Sequence, residues 1–255
     1  MSIQRIAFFD SGIGGLTVLK EALKILPRED YIYYADTEHV PYGTKTKSDI
    51  KKYILEAVEF IAGQKVKALV VACNTATSIA INALRQNYSF PIIGMEPAVK
   101  PAVEHNGNNK RILVLATPVT LKEEKFQNLV SKVDSEKTVD VLALPELVAY
   151  AEQFIFDGKI INPYLKEKLA AYNLAEYSTV VLGCTHFPYY RKNLKEVLPR
   201  TINIIDGNLG TVKHLKRLLE ERIPQSLNKG KGDIVFYSSG EKEDSERYLK
   251  YLDIL

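Results

Sequence analysis

Cys73 and Cys184 are the two cysteines of the chain, and their surroundings are alike. Val71-Ala72-Cys73-Asn74-Thr75 and Leu182-Gly183-Cys184-Thr185-His186 each read as a buried strand that delivers a cysteine to its C-terminal end, with polar residues following. Most free cysteines are small buried hydrophobes, but a core cysteine sits mid-strand and needs no polar neighbours. Open α/β sheets bind ligands at the carboxyl ends of their strands. A helix N-terminus at that point lowers a thiol below its free pKa of about 8.5. Two like thiols on opposite sides of one cleft suit racemisation, in which a proton leaves one face of a carbon and another arrives on the opposite face. A redox pair would stand as Cys-x-x-Cys on one loop, and two distant cysteines form neither a zinc signature nor a disulfide framework.

The polar residues nearby fit the same chemistry. The first strand runs into Phe9-Asp10-Ser11-Gly12-Ile13-Gly14-Gly15. Thr17 stands where a dinucleotide fingerprint needs its third glycine, and no Gly-Lys-Ser/Thr follows, so this is not a nucleotide-binding turn. Its glycines instead let the backbone approach a small ligand closely. Asp10 is placed to hold a substrate ammonium or to assist a thiol. Backbone donors of Gly43, Asn74, Thr75 and Thr185, with the nearby hydroxyls, can hold a carboxylate. His186, two positions past Cys184, reads as an acid/base assistant or ligand donor.

These residues need elements to position them. Residues 5–9, 31–35, 68–72 and 91–94 read as strands, and 15–25, 48–62 and 75–87 as helices. Ile50, Ile54, Ala57, Val58 and Ile61 give the second helix one apolar face, with Ser48 as its expected N-cap. The alternation predicts βαβ units around a parallel sheet. It then repeats: 111–115 matches 5–9, 140–144 matches 31–35, 180–183 matches 70–72, and 202–205 matches 91–93. Arg111 lies 106 residues after Arg5 and Cys184 lies 111 after Cys73. The copies open alike, each strand being followed by a small hydroxyl residue, Ser11 or Thr117. Two similar lobes are expected, 1–95 with 208–255 and 96–207. A tail of helix (209–222), strand (233–237) and helix (245–252) returns to complete the first, and 228–232 reads as an exposed loop.

The 255 residues are 46% hydrophobic and 25% charged, which is ordinary globular usage. A net charge of +3 offers no footprint for nucleic acid as the main partner. The longest apolar runs, such as 68–73 and 112–116, are far below the ~18 residues of a membrane span. The N-terminus lacks the pattern of a secretory signal, so a cytoplasmic protein is expected. No metal-ligand spacing is present, and paired thiols make a Schiff-base lysine unnecessary.

Four segments carry a family resemblance along essentially the whole chain. Phe9-Asp10-Ser11-Gly12-Ile13-Gly14-Gly15-Leu16-Thr17-Val18-Leu19, Val40-Pro41-Tyr42-Gly43, Cys73-Asn74-Thr75-Ala76 and Gly183-Cys184-Thr185-His186-Phe187-Pro188 resemble, in order, the motifs of the glutamate racemase family. The resemblance implies a cofactor-independent isomerase that interconverts L- and D-glutamate for peptidoglycan synthesis. It implies two pseudo-symmetric flavodoxin-like α/β lobes with the site in the cleft between them, and a homodimer. Cys73 and Cys184 would be the two bases, with Asp10 assisting the first and His186 and Glu152 the second. Asp10, Ser11, Tyr42, Gly43, Asn74, Thr75, Thr185 and His186 would bind substrate. Two departures stand out. Position 39 is His where the family commonly has Arg, and Gly94-Met95-Glu96-Pro97 is one residue shorter than usual. The nearest alternative is a racemase of aspartate or another small amino acid. An alternative of another class is a non-catalytic two-lobed ligand-binding or inhibitor protein.

Overall fold

The computed structural model describes residues 4–106, 110–222, 230–239, 241–242 and 245–255. The first part alternates as expected: β1 (Ile6–Asp10), α1 (Leu16–Ile25), β2 (Tyr31–Ala35), α2 (Lys47–Gly63), β3 (Ala68–Val71), α3 (Asn74–Asn87) and β4 (Ile92–Gly94). A short α4 (Val99–Glu104) leads into β5 (Arg111–Ala116), α5 (Pro118–Lys122), α6 (Glu124–Val133), β6 (Val139–Ala143) and α7 (Glu146–Glu152). Then come α8 (Gly158–Leu169), β7 (Tyr177–Leu182), α9 (Arg191–Val197) and β8 (Asn203–Asp206). The tail contains α10 (Asn208–Arg222), β9 (Ile234–Ser238), β10 (Glu241–Lys242) and α11 (Ser245–Asp253).

Two sheets result, ordered β10-β9-β2-β1-β3-β4 and β6-β5-β7-β8. Each places its first strand between its second and third, with the fourth outside, and every pairing but that of β10 is parallel. The result is a pair of pseudo-symmetric flavodoxin-like lobes. β9 pairs with β2 from Tyr31↔Ile234 to Ala35↔Ser238, so the tail strand joins the first sheet. Because helices cover both faces, the strands are written as continuous apolar runs. Ile6, Phe8, Tyr31 and Tyr33 point into one apolar cluster, while Ala7, Phe9, Ile32 and Tyr34 point into another on the opposite face. The first of these clusters continues through Leu113, Leu115, Val180 and Leu182 of the second sheet, so the lobes share one core.

One local expectation is corrected. The N-cap of α2 is Thr46, whose side chain accepts from the Asp49 N–H, and not Ser48. Thr46 is the last residue with extended backbone, and Ser48 already lies inside the first turn. Of the 228–232 loop, 228–229 lie outside the described residues. Gly230 and Lys231 are exposed, and the Gly232 N–H donates to the Pro27 carbonyl at 2.9 Å. No helix among the described residues is long and apolar enough to cross a membrane.

Candidate active site

β3 hands the chain to α3 through Cys73, which is the N-cap of that helix: the Ala76 N–H donates to its sulfur at 3.4 Å. The Cys73 thiol lies 3.7 Å from the Ser11 hydroxyl oxygen and donates to it. The cap was expected to lower this thiol, and the structure reverses that expectation. Burial, reinforced by the charge of Asp10, pushes Cys73 up to about 12, outweighing the help of Ala76 and Ser11. No α-helix starts at Cys184. The chain there makes only a short 3₁₀ turn, Phe187–Tyr190, and the sulfur's partner is His186, whose Nδ1 lies 3.8 Å away.

His186 is buried, and burial alone would press its imidazole down. Hydrogen bonds with Cys184 and Glu152 outweigh that and hold it well above its usual value. Its Nε2–H donates to Glu152 Oε1 at 2.7 Å, and the same oxygen accepts the Ile13 N–H at 2.8 Å. The other oxygen, Oε2, is buried without a hydrogen-bond partner. Glu152 therefore ties the second lobe's imidazole to the first lobe's glycine-rich turn.

Tyr33 fixes that turn too, donating its hydroxyl to the Gly12 carbonyl at 2.7 Å. Asp10, fully buried at the end of β1, accepts the Gly12 N–H at 3.0 Å. Gly12 and Gly14 make room for the other lobe rather than for a ligand, and Gly15 makes room for Asp10, Tyr33 and Ala72 of its own lobe. A Cβ on Gly14 would stand 2.4 Å from His186 Nδ1 and 2.5 Å from the Thr185 hydroxyl.

The two sulfurs line one cavity. Ser11, Tyr42, Gly43, Asn74 and Thr75 share its wall with Cys73, and Thr185 and His186 share it with Cys184. Asp10 and Glu152 stand behind this wall. The cavity volume is about 10 Å³, room for a single water and too small for an amino acid in this arrangement of the lobes. Two lining residues were missed from the sequence, Thr117 and Val148. The Thr117 hydroxyl lies 3.0 Å from those of Thr75 and Thr120, and Thr75 and Thr120 are 3.1 Å apart, a closed triangle between the lobes. The repeat carried a signal for Thr117, which follows β5 as Ser11 follows β1. Among the described residues no three His, Cys, Asp or Glu side chains group to hold a metal ion.

Residues 16–215 match the family described as Asp/Glu/Hydantoin racemase. The chain is 62% identical to the glutamate racemase of Halothermothrix orenii, covering 98% of each chain. It is 54% identical to glutamate racemase 2 of Bacillus subtilis, over 97% of this chain and 93% of that one. Among solved structures, glutamate racemase RacE1 of Bacillus anthracis superposes with a TM-score of 0.84 at 30% identity, covering 97% of this chain and 94% of the other. The Francisella tularensis glutamate racemase in complex with D-glutamate gives 0.82 at 29% identity, covering 98% and 95%.

Proposed function

The chain belongs to the Asp/Glu/hydantoin racemase family, and from that premise we propose that Cys73 and Cys184 are the two bases of its reaction. Its activity is the interconversion of L- and D-glutamate, and it is an isomerase. The observation that carries the two-base reading is that equivalent strands of pseudo-symmetric lobes bring both sulfurs to one cavity.

Glutamate binds with its α-carbon between the sulfurs. One thiolate takes the α-proton and becomes a thiol. The opposite thiol gives its proton to the other face and becomes a thiolate. Cys73, at about 12, rests as the thiol and is ready to donate. On the opposite side His186 lies beside the Cys184 sulfur, with Glu152 holding the imidazole, so a proton passed between substrate and Cys184 has a fixed basic partner at hand. Asp10 assists Cys73 from behind the cavity wall and meets the substrate ammonium once the lobes open to admit it. Its carboxyl is raised by burial to about 6, close to the working pH of a proton carrier. Charge that gathers on the α-carboxylate meets N–H groups of Asn74 and Thr75 at the start of α3 and of Thr185. Ser11, Tyr42 and Gly43 bind the rest of the substrate. The two thiols supply both proton transfers, so the reading calls for no cofactor.

The lobes in this reading are 1–95 with 208–255 and 96–207, supported by the pairing of β9 with β2. The protein works in the cytoplasm as a homodimer and supplies D-glutamate for peptidoglycan, points that cell fractionation, light scattering and depletion in cells test. The first experiment is α-proton exchange of L- and D-glutamate in metal-free and pyridoxal-free D₂O, with aspartate run beside them. Exchange and inversion of glutamate alone is the expected result. Exchange of aspartate alone would move the protein to the sister activity, and no exchange of either would overturn the enzyme reading.

A further inference from the structure

Glu152 is the last residue of α7, and a side chain from the far end of the chain holds that helix end. Tyr251, on α11, directs its hydroxyl proton to the carbonyls of Ala151 and Glu152, each 3.1 Å away. α11 packs on α1 and β9 of the first lobe, whereas α7 follows β6 of the second sheet. The Tyr251 hydroxyl therefore spans the lobes at the root of the Glu152 side chain.

A second observation points to the same place. Phe154 has φ of +60°, a backbone conformation in which a bulky residue is an outlier. The Phe154 N–H donates to Ala151 O at 2.9 Å and the Ile155 N–H to Tyr150 O at 2.8 Å. This pair of bonds closes a helix end whose left-handed residue is usually glycine. Burial does not explain a phenylalanine there, because its side chain is 47% exposed. Its ring rests edge-on against Tyr251 at 5.0 Å and against Phe156 at 5.3 Å. Strained backbone of this kind persists where its surroundings over-determine it.

We propose that Tyr251 is a positioning residue for the reaction: with Phe154 as its wedge, it sets the reach of the Glu152 carboxylate toward the Ile13 N–H and His186. It touches no substrate. Its influence passes from Glu152 to His186, the direct partner of Cys184, and reaches the Cys73 side only at one remove, through the Ile13 N–H of the turn that carries Ser11 and Asp10. The inference rests on the two-thiol reading above.

The test is Tyr251→Phe, which removes one hydroxyl and keeps the ring. A misplacement near 1 Å in catalytic geometry lowers rate by about 10–100-fold, so kcat should fall by about that factor with KM nearly unchanged. Because the enantiomers are equal in free energy, kcat/KM must fall equally in both directions, and the directional readout is the primary isotope effect with α-deuterated substrates. That effect should rise more for the enantiomer whose α-proton Cys184 removes. In a Glu152→Gln background the Tyr251→Phe change should cost little more. Equal isotope effects for both enantiomers, or fully additive losses, would overturn the proposal. Phe154→Gly, which relieves the left-handed strain and removes the wedge, should produce the same uneven rise; unchanged isotope effects in it would overturn the wedge. ¹⁵N NMR of His186 should also shift in Tyr251→Phe. If the wild type fails to racemise yet that resonance still moves, the two-thiol reading falls and the positioning contact stands.

Discussion

The Thr185 hydroxyl donates to the Asp10 carboxylate at 3.0 Å, joining the residue after the second cysteine to the last residue of β1. That bond and the Gly12 N–H do not offset the burial of Asp10, which leaves its carboxyl at about 6 against an ordinary 3.8. Folding therefore favours the protonated form. The favourable contribution is full below the unfolded value and is lost as pH rises through the folded one. Asp10→Asn should raise stability at pH 7.5 by up to about 3 kcal/mol, and by only about 1 kcal/mol at pH 4.5, while lowering racemisation. Urea unfolding at the two pH values measures this, and a variant less stable than wild type at pH 7.5 would refute it.

The opposed thiols make a stereochemical prediction. Cys73→Ser and Cys184→Ser should each lower inversion by about 10²–10⁴-fold. Each variant keeps one base, which can remove a proton and return a deuteron on the same face. Each should therefore exchange the α-proton of one enantiomer without inversion, and the two variants should select opposite enantiomers. Proton NMR in D₂O reads this directly. Selection of the same enantiomer by both would mean that the sulfurs do not face each other across the α-carbon.

Glu152 predicts a pH signature of its own. His186 sits well above its ordinary value in the fold, so its bonds contribute stability fully below about 6.5 and lose it as pH rises through the folded value. Glu152→Gln should cost about 1–3 kcal/mol near pH 6 and less at high pH. Denaturation across a pH series checks the slope, and a cost independent of pH would mean that His186 is neutral in the fold.

Closure can be tested at Gly43. A Cβ there would stand 2.6 Å from the Thr117 Cβ and 2.8 Å from its methyl, across the lobe interface. Gly43→Ala should keep the lobes from closing and raise KM for glutamate by about tenfold or more, with the circular dichroism spectrum unchanged. An unaltered KM would show that closure does not bring Gly43 against Thr117.

Parallel strands buried on both faces announce themselves as apolar runs, which is why 31–35 was readable to the residue and the others to within a few positions. The repeat was readable because Cys73 and Cys184 end equivalent strands. Other features depend on contacts that no local pattern carries. Thr46 and Ser48 are both good caps, and only the point where the backbone turns helical chooses between them. The direction of the Cys73 thiol follows from how completely the lobes bury it, which spacing does not report. Glu152 was reached through family likeness, because its bond to His186 joins residues 34 apart in sequence. Val148 reaches the cavity from a helix that the strand-end argument never considered.

The pairing of β9 with β2 has a consequence for synthesis. Every strand of the second sheet, from Arg111 to Asp206, is made between those two partners. A chain emerging N-terminus first folds its units in the order they are completed. The second sheet can therefore be whole while the first still lacks its strand at 234–238. The lobe that begins the protein is the last to be finished, and a chain cut short before Ile234 would hold every strand of the second sheet beside an open-edged first.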